Sequence, residues 1–286
     1  MSGYRSGEKT RIHTVRVGFS KRKPVESAVA RAFSTLGHEV IFKRSKADFE
    51  SFVRNNNLDI LFLSSSAPVP SPKIVQKLQN NCRVIYWERR APPKGIDNNR
   101  YRFRNYFTIY NDGSGRYLPC AAEDHLFLKE DERYGVSLVA KDVFKKPRKR
   151  QHEKRVRLQK MIFKDASNRF TMYGDIPEKR YDDRFEIMAN SVCSIGIWNA
   201  DKAVPLRYFE IISTSTPLIT YPYETFRSLF VPGEHYVETE SLSLTLDALS
   251  GDKERFEAIG RAGYEHFLQY HTYKHRVKFM LSVLNV

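Results

Sequence analysis

Cysteine is nearly absent from the 286 residues: Cys82, Cys120 and Cys193 are odd in number, far apart and free of any C-x-x-C pairing. That excludes a disulfide framework and a zinc ribbon or finger, so the three read as small buried apolar residues. Neither G-x-G-x-x-G nor G-x-x-x-x-G-K-[ST] occurs, which removes the dinucleotide fingerprint and the Walker phosphate loop. No D-x-D occurs either, so a magnesium bridging a diphosphate has no evident ligands, Asp182-Asp183 being the nearest approach, and no metal or cofactor is expected. No apolar run approaches the length of a membrane span. The opening "MSGYRSGEKTRIHTVRV" carries charges where a signal peptide needs an apolar core, so a cytoplasmic location is expected.

Acidic residues are under-represented, 33 against 48 basic ones, for a net charge of +15. Such an excess bears on partners rather than on fold. Residues 1–128 carry 22 basic and 11 acidic side chains, and residues 141–164, "KDVFKKPRKRQHEKRVRLQKMIFK", carry 11 against 2. Residues 165–286 are mildly acidic, 13 against 17.

What the sequence does have is an alternation of strand and helix signals. "TVRVGFS", "VIFKR", "LDILFLSSS" and "RVIYWER" are short, nearly continuous apolar runs of the kind buried on both faces of a parallel sheet. Between them "KPVESAVARAFSTLGHEV", with Pro24 at its start and Gly37 at its end, and "SPKIVQKLQNN" read as helices. "YFTIYND" adds a strand. The grammar restarts at "GVSLVAK" and runs through "RFTMYGD", "RFEIMANS", "CSIGIWN", "PLRYFEIISTS" and "PLITY" to a largely helical "LSLTLDALSGDKERFEAIGRAGYEHFLQYH". In this last stretch Phe256, Ile259, Phe267 and Leu268 fall on one face, which is expected to point into the core. The fold class is therefore α/β, with two Rossmann-like, doubly wound domains at 1–128 and 129–270. A helix at 271–286 is expected to cross back to the first domain. Two such domains place ligands beyond the carboxyl ends of their strands, so the expectation is a pair of sheet edges facing one cleft.

Arg207 and Glu210 lie three apart on the apparent helix "PLRYFEIISTS", so they share a face and can present a cation and a carboxylate to one ligand. A carboxylate suits a ribose diol, which donates two hydrogen bonds to it, and an arginine suits a diphosphate. The residues alone leave open an ordinary surface pair stabilising the helix by about 0.2–0.5 kcal/mol.

The segments "YLPCAAEDHLF", "LRYFEIISTSTPLITY", "SLFVPGEHYV" and "RFEAIGRAGYEHFLQYHTYKHRVKFML" come in an order and spacing that resembles the CgeB-like, spore-maturation-type glycosyltransferases. That family is similar to the larger retaining GT-B nucleotide-sugar transferases. The match is best from Tyr117 to Leu281, and its most specific pieces are R-x-F-E at 207–210 and the ending "HTYKHR". The resemblance implies a UDP-sugar donor, with Glu210 on the ribose hydroxyls, Arg207 beside it and Gly174 level with the nucleobase. Tyr221 stands where the family often has Asp and is counted among the donor-side residues. Thr214 and Thr216 replace small residues, and Arg227 and Ser228 replace acidic ones.

Lys141 follows the strand "GVSLVA" and so is placed to offset charge on the departing diphosphate; it equally continues a basic surface run. A catalytic acid or base should come from the first domain. Its strand ends offer Ser20, Ser64 to Ser66, Glu88 and Asp112, of which Glu88, beside Tyr86 and Trp87, is the leading candidate and Asp112 the second. The alternative for Glu88 is neutralisation by Arg89 or Arg90. For the acceptor, Arg100, Arg102 and Arg104 alternate with Tyr101, Phe103, Tyr106 and Phe107, a pattern that suits phosphates and stacked bases. With Lys145, Lys146 and Arg148 these arginines would flank a groove for a polyanion, most concretely DNA of the phage type bearing a hydroxymethylated base. An edge strand with one solvated basic face gives the same pattern. Two other functions stay open: a transferase acting on a cell-surface or lipid-linked glycan, and a nucleic-acid-binding protein on a degenerate transferase fold. Oligomeric state is not encoded.

Overall fold

A computed structural model describes residues 14–20, 23–44, 48–65, 70–89, 102–113, 115–123, 135–138, 172–174, 181–197 and 202–286, with only the backbone given for 172–174 and 181–183. The chain forms two compact units, Met1–Phe107 with Arg276–Val286 and Thr108–His275. The division by contacts thus falls at 107, where the sequence pattern suggests 128.

The first sheet contains β1 (Arg16–Phe19), β2 (Glu39–Phe42), β3 (Ile60–Ser64), β4 (Arg83–Glu88), β5 (Asn105–Thr108) and β6 (Arg116–Tyr117), in the order β2-β1-β3-β4-β5-β6. The β1–β2, β1–β3 and β3–β4 pairs are parallel. All of β3 and all but the first residue of β4 are buried, as the unbroken apolar runs require of strands covered on both faces. Three helices provide that cover. α1 (Pro24–Thr35) begins on the proline, whose missing N–H is harmless in a first turn, and ends before Gly37, which takes φ +88°. α2 (Phe49–Asn55) is capped by Asp48, which accepts from the Ser51 N–H at 2.7 Å. α3 is Pro72–Asn81. Phe52, Val75 and Leu78 of α2 and α3 pack with Leu61, Leu63, Val84 and Tyr86 on one face. Phe33 of α1 meets Phe19 edge to face, with centroids 6.0 Å apart.

The second sheet contains β7 (Val136–Leu138), β8 (Met172–Gly174), β9 (Cys193–Gly196), β10 (Leu218–Thr220) and β11 (Val237–Glu238), in the order β11-β10-β9-β7-β8, and its pairs are parallel. Its helices are α4 (Tyr181–Ala189), α5 (Leu206–Ile212), α6 (Glu224–Arg227), α7 (Leu242–Gly251) and α8 (Lys253–Tyr270). The long C-terminal helical run is broken at Asp252, which accepts from the Arg255 N–H and caps α8. Phe256, Ile259 and Phe267 are buried as the stripe implies, but Leu268 is 37% exposed, because it lies one residue round the helix from the buried arc. α8 approaches its neighbours through glycine: a Cβ on Gly260 would stand 2.9 Å from the Ser215 carbonyl oxygen, and one on Gly263 would overlap that of His235. α9 (Tyr273–Leu284) ends the chain, and from Arg276 onward it belongs to the first unit. There Val277 and Met280 are fully buried and the Phe279 ring meets Phe107.

Candidate functional site

α5 joins β9 to its parallel neighbour β10, so it runs back from the carboxyl ends of those strands. Its first turn is fixed by Tyr208, whose hydroxyl bonds the Thr220 hydroxyl at 2.6 Å and whose ring lies over Gly196. A Cβ on Gly196 would stand 2.6 Å from that ring, so the residue type at the end of β9 sets how near α5 sits. Burial pushes the Tyr208 phenol far above its usual range, leaving it a neutral hydrogen-bonding group.

With Tyr208 turned inward, Arg207 and Glu210 project together and form an ion pair, Nη1 to Oε2 at 2.7 Å. The two are unequally exposed. Arg207 keeps 24% of its side chain open and Glu210 only 3%, which removes the ordinary surface pair from consideration. A buried carboxylate whose cation reaches solvent is a built feature, because burying a charge is costly unless it is paired.

Tyr221 follows β10 and is half-buried, packing on the cluster of Val136, Ile195 and Leu246. Gly174 ends β8 opposite Leu138 of β7. Thr214 and Thr216 are spent inside the fold: their hydroxyls bond at 2.9 Å, and Thr216 donates to the Met188 carbonyl. Arg227 pairs with Glu238 at the end of β11, Nε to Oε2 at 3.0 Å, and with Glu224 at 3.3 Å. The Tyr236 hydroxyl donates to the same Glu238 carboxylate at 3.0 Å. The Arg227 hydrogen bonds hold the Glu238 carboxyl below the usual range. Nothing in the sequence pointed to this pair, since its members are eleven residues apart on different elements.

At the carboxyl edge of the first sheet Glu88 is buried, and the Tyr86 hydroxyl donates to its Oε2 at 3.2 Å. Trp87 does not desolvate it: successive strand residues face opposite ways, and Trp87 has the Arg89 guanidinium over its ring at 5.8 Å. Arg89 pairs instead with Glu26, Nη2 to Oε1 at 3.2 Å, and the Ser64 hydroxyl donates to the same oxygen. Glu26 is 2% exposed. In the sequence it reads as any acid in a helix's first turn. Asp112 is exposed.

Arg102 is half-buried and Arg104 exposed, their backbone held by Gln79, which donates to the Arg102 carbonyl and accepts from the Arg104 N–H. The aromatics between them are not base-stacking platforms. Phe103 and Tyr106 are buried against Tyr86, Phe103 stacking at 4.4 Å, and Phe107 is fully buried, so none of the three rings is open to a base. Arg100, Lys141, Lys145, Lys146 and Arg148 lie outside the described residues. Among the described residues no group of three or more His, Cys, Asp or Glu side chains is arranged to hold a metal, and no helix is long and apolar enough to cross a membrane.

A cavity of about 650 Å³ in the second unit lies apart from the Arg207–Glu210 pair, which is not in its wall. It is lined by Glu234, His235, Glu265, His266, Tyr270 and His271 among others. His235 and His266 stack with centroids 4.2 Å apart, and burial lowers the His235 pKa, assisted by His266.

Comparison with known proteins gives a consistent frame. Residues 150–282 match the glycosyl transferase-like family. No curated protein matches the sequence. Among solved structures, a glycosyltransferase from Rickettsia africae superposes with a TM-score of 0.61 at 10% identity, covering 95% of this chain and 99% of that one. A sucrose-phosphate synthase from Thermosynechococcus elongatus gives 0.62 at 10% identity, over 95% and 98%. HepE of Anabaena in complex with UDP-glucose gives 0.57 at 11% identity, over 95% and 100%. The fold is α/β with parallel sheets, of the GT-B type.

Proposed function

We propose that this chain, a glycosyltransferase, transfers a sugar from a UDP-sugar to a hydroxyl on a polyanionic acceptor, with Glu210 and Arg207 as the donor grip. The observation that carries the reading is the buried Glu210 carboxylate paired to a quarter-exposed Arg207 beside the carboxyl ends of β9 and β10. In open α/β sheets that edge is where ligands bind. When a nucleotide sugar enters, Arg207 turns outward onto the diphosphate and the ribose diol takes its place on the carboxylate. Each partner of the resting ion pair thereby gains a charge-assisted contact to the ligand. That HepE holds UDP-glucose supports uridine as the nucleoside. Lys141 would offset charge on the departing UDP, Gly174 would let the base approach, and no metal is required. Thermal unfolding with UDP in EDTA tests this: ligand at 100 times its Kd should add about 2.7 kcal/mol to the stability of the binding unit. A Tm unmoved by millimolar UDP would overturn it.

On the acceptor side the supporting observation is charge: 22 basic against 11 acidic residues in the first 128, with Arg104 exposed. DNA bearing a hydroxymethylated base is the form we favour, its hydroxyl acting as nucleophile. Glu88, with Tyr86 on its carboxylate, remains our leading group for taking the hydroxyl proton, and Asp112 the second. Mass spectrometry of hydroxymethylated and plain DNA after incubation with a panel of UDP-sugars decides the acceptor; glycosylation of neither, with turnover on glycans, would move the reading to a surface glycan.

A further inference from the structure

We infer that Arg89, held by Glu26, is a phosphate-binding residue of the first unit. Three adjacent strands bring its parts together at their carboxyl ends. Glu26 opens α1 just after β1, Ser64 closes β3, and Arg89 follows β4. The Glu26 carboxylate accepts from the Ser64 hydroxyl and from Arg89 Nη2 on the same oxygen, Oε1. The guanidinium is further fixed over the Trp87 ring, and the Arg89 backbone N–H donates to the Ser65 hydroxyl at 2.9 Å. Cation, plane and backbone are thus all set before any ligand arrives.

A purely structural account of this cluster is weak. Desolvating a carboxylate and a guanidinium costs several kcal/mol each, and packed apolar side chains would join α1 to β4 as well or better. The pair is also open on one side: Arg89 keeps 13% of its side chain exposed while Glu26 keeps 3%. One Nη is committed to Glu26, Nε is buried without an acceptor, and the remaining Nη donors form the reachable edge. A planar, preorganised fork at a sheet's ligand edge suits a tetrahedral oxyanion, and the excess of basic over acidic residues in the first 128, 22 against 11, favours phosphate. The inference deepens the acceptor reading and rests on it only for which molecule carries the phosphate.

The test uses fluorescence of Trp87 in the full chain with Trp198→Phe, which leaves one tryptophan of the two. Inorganic phosphate is titrated at constant ionic strength, and a single-stranded DNA oligonucleotide in a second arm. A saturable change is expected that Arg89→Gln abolishes and Arg89→Lys weakens about tenfold, because lysine keeps the charge and loses the fork. Response to the oligonucleotide at far lower concentration than to phosphate places the group in a strand; response to phosphate alone places it in a small phosphorylated acceptor and removes DNA. No response of Trp87 to either, or an unchanged response in Arg89→Gln, overturns the inference, even if the oligonucleotide still binds by anisotropy. Should Arg89→Gln fail to fold by circular dichroism, Arg89→Lys decides, and undiminished affinity there counts against the role.

Discussion

Two carboxylates, Glu26 and Glu210, are buried beside arginines, and removing either has a different consequence. Arg207 reaches solvent, so Glu210→Gln leaves a cation that can turn outward. The expected result is a small change in Tm and a loss of UDP affinity of about 1.5–3 kcal/mol, the range for a hydrogen bond to a charged group. Equal UDP affinity by calorimetry would take Glu210 out of the site. Arg89 is confined, so Glu26→Gln strands a largely buried cation. That should cost about 3 kcal/mol of stability, read as a shift of the denaturation midpoint without a change in UDP affinity. The first carboxylate was legible in the sequence because R-x-F-E sets an i,i+3 pair on one helix face; its burial was not, since that depends on Tyr208 turning toward Thr220. The second was not legible at all: its partners stand 38 and 63 residues away.

The elements most readily read were those with a full period or a clear terminator. β3 and β4 are unbroken apolar runs, and α1 has Pro24 and Gly37 at its ends. The two-residue strands β6 and β11 and the four-residue α6 contain no period to detect. The stretch from Arg102 to Phe107 shows the other limit. Interleaving of cations and rings does not say which of them are buried, and here Phe103 and Tyr106 pack on Tyr86 while Phe107 meets Phe279. A related prediction concerns α8, whose approach to the chain at His235 requires Gly263. Gly263→Ala gains helix propensity yet forces the backbones apart, and should destabilise by about 1–3 kcal/mol in urea unfolding. A stabilised variant would mean that the contact relaxes freely.

At the scale of the whole molecule, charge and protonation set two further expectations. If DNA is the acceptor, log K should fall linearly with log salt at a slope near −0.9 per phosphate contacted on a duplex. Replacing Arg100, Arg102 and Arg104 by Gln should flatten that slope by roughly one unit per lost contact and weaken all sequences alike. An unchanged slope would show that these arginines do not touch the acceptor. Acid should destabilise the second unit in two stages. Burial favours neutral His235, so the unfolded chain takes up the proton first as pH falls below the usual histidine value of about 6.5, and stability declines from there. The depressed Glu238 carboxyl acts at lower pH, its contribution present above the ordinary carboxylate range and lost as pH falls through its folded value. Melting curves flat between pH 7 and 5 would contradict the His235 part.

The return of α9 to the first unit makes that unit discontinuous, its 107 leading residues completed by Arg276–Val286. During synthesis this inverts the usual order. The second unit, one unbroken stretch, has all its residues as soon as His275 leaves the ribosome, while the first, although made earlier, must wait with the surface that will cover Val277 and Met280 still open. The first half of this protein is therefore the part whose apolar surface stays uncovered longest during synthesis, and a chain cut short before Arg276 would carry a second unit with all its residues and a first unit without its closing helix.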